Sequence, residues 1–182
     1  NFAESYRPDF VINCAALASR TEADENPDKA YKVNALGARN LAIASNNVGA
    51  TMVHLSINDL FPENADHAFN EFDATNPPHV YGKSKQAGER FVNELNQHHI
   101  IVRSSWVYTA RPDDLLGRAL LASAQGKTVP VPANQFACPT SVDTFAKFVI
   151  AAMESDEFGT FHAACTGVTS RFEFFERAFA LA

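Results

Sequence analysis

The chain has 182 residues, of which 46% are hydrophobic and 20% are charged, a composition typical of one α/β globular domain or a large part of one. The net charge is -6 and no basic cluster is present, which argues against a nucleic-acid partner. No apolar run reaches the roughly 18 residues that a membrane span needs, so we expect a cytoplasmic protein without a membrane partner.

Apolar runs of strand length alternate with segments of helical periodicity along the chain. A run that is apolar throughout is typical of a strand covered on both faces, as in a parallel sheet. The predicted strands are residues 10–15, 51–56, 100–104, 128–131 and 159–163. The alternation predicts a doubly wound parallel sheet with helices on both faces.

Capping residues, prolines and glycines mark where the predicted helices begin and end. Asn26-Pro27 supplies an N-cap followed by proline, and this helix is expected to continue to Gly49. A polar loop is predicted over residues 57–78. The other predicted helices begin near Val80, Asp113 and Ser141 and at the capping-box sequence Ser170-Arg171-Phe172-Glu173.

The cysteines and histidines show no spacing typical of a metal site. Cys14, Cys138 and Cys165 are far apart, no C-x-x-C pair occurs, and no His lies at ligand spacing from another His or a Cys. We predict no metal, and reduced, buried cysteines.

Tyr81 and Lys85 stand four residues apart at the start of a predicted helix. This spacing places the two side chains on one helical face, so we expect the Lys85 ammonium to favour the ionised form of the phenol. A lowered Tyr81 pKa suits an acid or base that works near neutral pH. The alternative is an ordinary surface pair, because the spacing alone arises often by chance.

The order of several motifs resembles the dTDP-4-dehydrorhamnose reductases of the extended short-chain dehydrogenase/reductase superfamily. The resemblance covers essentially the whole chain. The motifs are Arg7–Ala16, Asn26-Pro27, Val33-Asn34-Ala35, His54-Leu55-Ser56, Asn76-Pro77, Val80–Lys85, Gly88-Glu89, Arg103–Tyr108, Gln135-Phe136 and Pro139-Thr140. The resemblance implies a single partial Rossmann-like NAD(P)-binding domain over residues 1–182, with substrate-side segments around 106–140 and 159–182.

The resemblance also implies a reaction and a role for particular residues. A hydride from NADPH or NADH reduces the C4 ketone of a nucleotide-linked deoxy sugar. Tyr81 donates the proton, and Lys85 holds the nicotinamide ribose and lowers the Tyr81 pKa. The implied cofactor-binding residues are Asn13, Ala15, Ala16, Ser56, Tyr81 and Lys85, and the implied substrate-binding residues are Trp106 and Gln135. In the alternative interpretation, Asn13 only caps its loop and Trp106 is an aromatic residue of the hydrophobic core.

Several positions depart from the family pattern around one expected pocket. Ile57 stands where the family has a catalytic Ser or Thr, and the loss of one such donor costs on the order of 100- to 1,000-fold in rate. Asn58-Asp59 replaces Asp-Tyr, and Asn134 and Ala137 replace an Asp and a Gly. Arg171 replaces a Trp. Such a cluster suggests an altered substrate choice or a loss of catalysis.

The glycine-rich fingerprint that seats a dinucleotide pyrophosphate does not occur in the chain. We therefore expect a fragment that lacks the first βαβ unit, with weak or no cofactor binding by the chain alone. The departures also leave open a non-catalytic regulatory subunit, like that of methionine adenosyltransferase, and a reductase fragment without independent function. A homodimer is implied by the resemblance only.

Overall fold

A computed structural model describes residues 2–63 and 67–182. In chain order its elements are α1 (Phe2–Tyr6), β1 (Phe10–Asn13), α2 (Arg20–Glu25), α3 (Pro27–Tyr31), a π-helical segment (Lys32–Gly37), α4 (Ala38–Val48), β2 (Thr51–Ile57), α5 (Val80–Leu95), β3 (His99–Ser104), β4 (Val107–Tyr108), α6 (Leu115–Ala124), β5 (Phe136–Ala137), β6 (Thr140–Ser141), α7 (Val142–Glu154), β7 (Gly159–His162), β8 (Thr169–Ser170) and α8 (Arg171–Leu181). They form two compact units. Unit 1 comprises Asn1–Arg103 and Ala151–His162, and unit 2 comprises Ser104–Ile150 and Ala163–Ala182.

Unit 1 is built on a sheet with the strand order β1-β2-β3-β7. β1 runs parallel to β2, with Phe10 opposite Thr51, and β3 runs parallel to β7, with Ile100 opposite Gly159. The central strands are apolar because both of their faces are covered, and Met52, Val53 and Ile101 are almost fully buried. The predicted α/β class with a parallel sheet is confirmed.

The helices α4 and α5 pack against this sheet through small residues. Ala38 and Ala42 of α4 share a buried cluster with Met52 of β2, Val92 of α5 and Ile101 of β3. Alanine at these two positions lets the backbone of α4 approach the sheet closely.

The segment predicted as one helix from Asn26 to Gly49 contains an interruption. Pro27 begins α3 as predicted, but the Asn26 side chain makes no cap hydrogen bond. A π-helical turn follows over Lys32–Gly37 before α4 resumes, and Gly49 ends α4 with a left-handed φ of 74°. The short helix α2 was not predicted; the Ser19 side chain caps it by accepting the Glu22 N–H.

The predicted loop over residues 57–78 is polar only in part. Leu60 and Phe61 are buried core residues, and Phe61 stacks on Phe69 at 4.4 Å between ring centroids. Residues 64–66 lie outside the described part of the chain. All three cysteines are unpaired, but Cys14 is exposed in the loop after β1 and Cys138 and Cys165 are only half-buried, so the expectation of buried cysteines was wrong.

Unit 2 contains two small sheets and an aromatic core. β4 pairs with β6 in parallel, and β5 pairs with β8 in antiparallel orientation. Leu116 and Ala119 of α6 pack with Phe175 of α8. The predicted capping box of Ser170 and Glu173 is present at the start of α8.

The predicted strand over residues 128–131 does not form, and this stretch is irregular. Pro130 and Pro132 cannot donate to a ladder, so the apolar Val129 and Val131 pack on the α6/α8 cluster without strand pairing. Within the described residues, no helix is long and apolar enough to cross a membrane.

Candidate active site

Lys85 is a buried cation in the middle of α5. Its Nζ donates a hydrogen bond to the Leu55 carbonyl oxygen of β2 at 2.6 Å, and 2% of the residue is exposed. Burial lowers the Lys85 pKa to about 8, and the opposing attraction of Glu89 and Cys14 only limits the shift. Lys85 therefore remains mostly charged at pH 7.

Tyr81 lies one turn before Lys85 and is half-buried against Leu17, Ala23 and Ala30. Burial and, to a smaller extent, the negative charge of Asp59 raise the pKa of Tyr81 to about 12, against the opposing effect of Arg20. The expected lowering of this pKa by Lys85 was wrong. The Lys85 ammonium is bound to a β2 carbonyl, and removal of the phenol from water dominates.

Asn13 ends β1 and orders the loop that follows. Its Oδ1 accepts the Ala15 N–H at 3.1 Å, and its Nδ2 donates to His54 Nδ1 at 3.0 Å. Burial, with the nearby charge of Lys85, lowers the His54 pKa to about 3, so the imidazole is neutral and carries its proton on Nε2. The loop-capping role of Asn13 is therefore seen directly. Its cofactor role stays a prediction, as do those of Ala15 and Ala16, which are exposed beside it.

Ser56 and Ile57 end β2. Ser56 is buried, and its Oγ has no hydrogen-bond partner among the described residues. Ile57 is half-buried and offers no donor. Consecutive strand residues face opposite sides, so the Ser56 hydroxyl does not take the place of a hydroxyl at position 57. The cofactor role of Ser56 stays a prediction.

Asn34 connects the β1–α2 loop to α5, a role that sequence reasoning missed. Its Oδ1 accepts the Leu17 N–H at 2.8 Å, and its Nδ2 donates to the Leu17 carbonyl at 3.2 Å and to Ser84 Oγ at 2.9 Å. Ser84 Oγ in turn donates to the Tyr81 carbonyl at 2.8 Å. The signal was a polar residue on the apolar face of a predicted helix.

Asp59 and Arg20 form an ion pair that the sequence did not indicate. Arg20 Nε donates to Asp59 Oδ2 at 2.7 Å, and Glu63 lies 3.6 Å from the same guanidinium. Asp59 is one of the residues expected from the sequence to depart from the family pattern, and its negative charge raises the pKa of Tyr81, the predicted proton donor.

Trp106 and Gln135, the predicted substrate residues, both belong to unit 2. Trp106 has a φ of 39°, a left-handed conformation that costs a bulky residue about 1–2 kcal/mol. The Arg171 guanidinium lies over its ring, with Cζ 4.3 Å from the centroid. The Gln135 side chain is exposed, and the backbone carbonyl oxygen of Gln135 accepts the backbone N–H of Arg171 at 2.8 Å. Their substrate roles stay predictions.

No three His, Cys, Asp or Glu side chains within the described ranges come together in a group that could hold a metal ion.

Comparison with known proteins gives a family and a set of relatives. The model of the RmlD substrate binding domain matches residues 1–182. The dTDP-4-dehydrorhamnose reductase of Escherichia coli (strain K12) is 33% identical over 175 residues, which are 93% of this chain and 58% of that protein. The corresponding protein of Streptomyces griseus is 36% identical over 171 residues, 91% of this chain and 56% of that one. The chain therefore spans somewhat more than half the length of these relatives.

Solved structures agree with the sequence relatives. A dTDP-4-dehydrorhamnose reductase from Bacillus anthracis str. Ames, in complex with NADP, superposes with a TM-score of 0.93 at 34% identity, over 99% of this chain and 64% of that one. One from Clostridium acetobutylicum ATCC 824 gives 0.94 at 35% identity with the same coverage. The resemblance seen in the motifs is confirmed, and the chain belongs to the RmlD substrate-binding-domain family.

Proposed function

We propose that the protein reduces the 4-keto group of a nucleotide-linked deoxy sugar with NADPH or NADH. The observation that carries the proposal is the placement of Tyr81 and Lys85 on successive turns of α5, which packs beside β2 of the parallel sheet. Ligands of open α/β sheets bind at the carboxyl ends of the strands. The names of the sequence relatives, dTDP-4-dehydrorhamnose reductases, support this substrate class.

The protonation states of the two residues suit a reduction. The raised pKa keeps Tyr81 protonated at neutral pH, so its hydroxyl is a hydrogen-bond and proton donor for a carbonyl oxygen. Lys85 keeps a positive charge at neutral pH, which stabilises the phenolate left behind when the proton is transferred.

The residues present fit the nicotinamide half of a dinucleotide. Ser56 offers a buried hydroxyl without a partner in the described structure, and the small side chains of Ala15 and Ala16 leave the end of β1 open. We assign Asn13, Ser56 and Lys85 to hold this part of the cofactor. When bound, the reduced cofactor supplies the hydride.

Tyr81→Phe tests this assignment, with Tyr31→Phe as the matched control. Tyr31 is exposed on α3 and has no part in the proposed site. We expect Tyr81→Phe to lower kcat by at least about 100-fold, the usual contribution of general acid catalysis, with KM little changed, and Tyr31→Phe to leave both unchanged. The assay follows nicotinamide absorbance with a 4-keto nucleotide sugar. Equal rates in wild type and Tyr81→Phe contradict the mechanism.

A second candidate function is a non-catalytic subunit that keeps the fold and binds a partner or a nucleotide. Ile57 favours it, because the family's hydroxyl donor is absent there, and so does the Asp59 carboxylate acting on Tyr81. This second function predicts that the wild-type protein oxidises no nicotinamide in the assay with a 4-keto nucleotide sugar. It also predicts that a stable partner stays bound through purification.

A further inference from the structure

Lys85 is followed on the next turn of α5 by a buried carboxylate. Tyr81, Lys85 and Glu89 stand at four-residue intervals in this helix, so their side chains share one face. In the described part of the chain, Lys85 and Glu89 are buried and no other Lys, Arg, Asp or Glu is. Buried charges in proteins are normally paired, because taking an isolated ion out of water is costly. The one buried cation and the one buried anion therefore lie where each can stabilise the other.

Arg103 of β3 fixes the position of the Glu89 carboxylate. Its Nε donates to Glu89 Oε1 at 3.0 Å and to Oε2 at 3.2 Å, and its Nη2 donates to Oε2 at 2.7 Å. The guanidinium also lies against the Phe61 ring, with Cζ 5.5 Å from the centroid, within the range of a cation–π contact. A planar guanidinium paired in this way holds both oxygens of a carboxylate. The charge of Glu89 therefore acts on Lys85 through space, from a fixed position.

The charge of Lys85 reflects a balance between burial and this carboxylate. Its Nζ donates to the Leu55 carbonyl oxygen, a neutral acceptor that leaves the positive charge uncompensated. Burial favours the uncharged amine and is the largest effect on the Lys85 pKa. The attraction of Glu89 is the larger of the two effects that oppose burial, and that of Cys14 is the smaller.

The other titratable groups around α5 do not supply a compensating charge at Lys85. His54 on β2 is neutral, since burial and Lys85 itself lower its pKa to about 3. Tyr81 keeps its proton at neutral pH. The buried residues of the π-helical segment and of α4 are not titratable. The remaining charged groups lie at the first turn of α5 or are positive, and they are Arg20, Asp24, Asp59 and Arg103.

We propose that Glu89 is a positioning residue that acts through Lys85. Its carboxylate, oriented by Arg103, keeps the buried ammonium charged beside Tyr81 up to a higher pH than burial alone would allow. The positive charge of Arg103 limits this effect. The consequence for the rate rests on the proposed function, in which a charged Lys85 stabilises the Tyr81 phenolate. The consequence for the charge of Lys85 needs no turnover.

The charge of Lys85 can be followed by NMR, as the ¹³Cε chemical shift of the lysine side chains against pH, with Lys85→Met to assign the signal. Wild type should titrate near pH 8. Glu89→Gln removes the negative charge but keeps the shape and an acceptor for Arg103, and it should lower the midpoint by about 1 pH unit. Glu94→Gln removes a negative charge from an exposed position of the same helix and should leave the midpoint unchanged.

Arg103→Met supplies a second measurement with the opposite sign. Without the guanidinium, Glu89 acts on Lys85 with no competing cation, so the midpoint should rise above that of wild type. A loss of packing that exposes Lys85 to water would also raise it. The double variant Glu89→Gln/Arg103→Met separates the two causes, because it removes the carboxylate and leaves neither ion of the pair unpaired. The double variant should titrate at lower pH than Arg103→Met.

The inference is overturned if Lys85 titrates at the same pH in wild type and Glu89→Gln, or at the same pH in Arg103→Met and the double variant. In the nicotinamide assay, Glu89→Gln should move the alkaline fall of kcat/KM to lower pH by the same interval, and Glu94→Gln should not. Absence of oxidation in every variant, with the NMR shifts present, counts against the proposed reductase alone. Oxidation by wild type, with the Lys85 midpoint unmoved in Glu89→Gln, counts against the role of Glu89 alone.

Discussion

At the residue scale, Ile57 ends β2 with an aliphatic side chain at the position where the resemblance implies a hydroxyl. Ile57→Thr restores a donor without a large change of volume, and Ile57→Val is its matched control because valine has the shape of threonine without the hydroxyl. We expect Ile57→Thr to raise kcat by up to about 100-fold and Ile57→Val to leave it unchanged, since one oxyanion donor contributes about that much. An equal effect of both substitutions on nicotinamide oxidation would show that side-chain volume, not the hydroxyl, matters.

Lys85 makes the stability of the fold depend on pH in the alkaline range. Its pKa is about 8 in the folded chain against the ordinary 10.5, so between these values the unfolded chain binds more protons and stability rises with pH. The full effect is about 3 kcal/mol. Tyr81, with a pKa of about 12 against 10.0, acts in the opposite direction only above pH 10.

Urea unfolding of wild type between pH 8 and pH 10 should therefore show a rising free energy of unfolding, within the interval set by these pKa values. Lys85→Met should remove this rise. Lys83→Met, at an exposed position of the same helix, should keep it. An identical pH slope in wild type and Lys85→Met would rule out Lys85 as the source.

The residues of the candidate site were predictable where local periodicity governs them. The four-residue spacing of Tyr81 and Lys85 and the Asn13 turn at the end of an apolar run follow from helix and strand geometry. The direction of the Tyr81 pKa shift and the contacts of Asn34 and His54 were not predictable. They depend on burial and on partners 17 to 50 residues away for Asn34 and 41 residues away for His54.

At the element scale, the contact between α5 and the π-helical segment depends on a glycine. A Cβ at Gly88 would overlap the Asn34 carbonyl oxygen, whereas a Cβ at Gly37 would lie 3.7 Å from the Lys32 carbonyl oxygen, an ordinary contact. Gly88→Ala should therefore destabilise the fold by about 1–3 kcal/mol. Gly37→Ala should stabilise it by up to about 1 kcal/mol, because alanine favours a helix. Urea unfolding of both variants tests this, and a loss of stability in both would contradict the steric argument.

The elements themselves show which sequence signals were sufficient. Buried strands such as β2 and β3 were predicted because their apolar runs continue on both faces, and α8 was predicted by its capping box. The stretch 128–131 resembled a strand in composition alone, and no neighbouring strand pairs with it within the described sheets. The π-helical turn adds one residue between two helical segments that each keep their own periodicity, so neither segment's pattern reveals it.

At the scale of the whole molecule, unit 1 depends on a segment that follows most of unit 2 in the chain. β7 completes the edge of the sheet beside β3, whose residues Ile100, Ile101 and Val102 are buried. Without β7, β3 becomes an exposed apolar edge, which is a site of aggregation.

A chain ended at Ile150 should therefore lose hydrogen-exchange protection along β3 and aggregate, whereas a chain ended at His162 should keep that protection. Both lack α8 and the aromatic core it provides, so the comparison isolates the last segment of unit 1. Equal protection of β3 in the two chains would show that β7 is dispensable for the sheet.

The π-helical turn also determines how the chain tolerates insertions and deletions. A π turn closes its hydrogen bonds over one more residue than an α turn. Removal of Leu36, which is exposed, would allow a continuous α-helix from Pro27 to Val48 and would leave Ala38 and Ala42 facing the sheet. If the segment became α-helical with no residue removed, everything after it would rotate by about 100° around the helix axis relative to Asn34. Ala38 and Ala42 would then leave the sheet while Asn34 stayed bound to Leu17 and Ser84, so the π turn absorbs one residue and lets one helix contact both the core and α5.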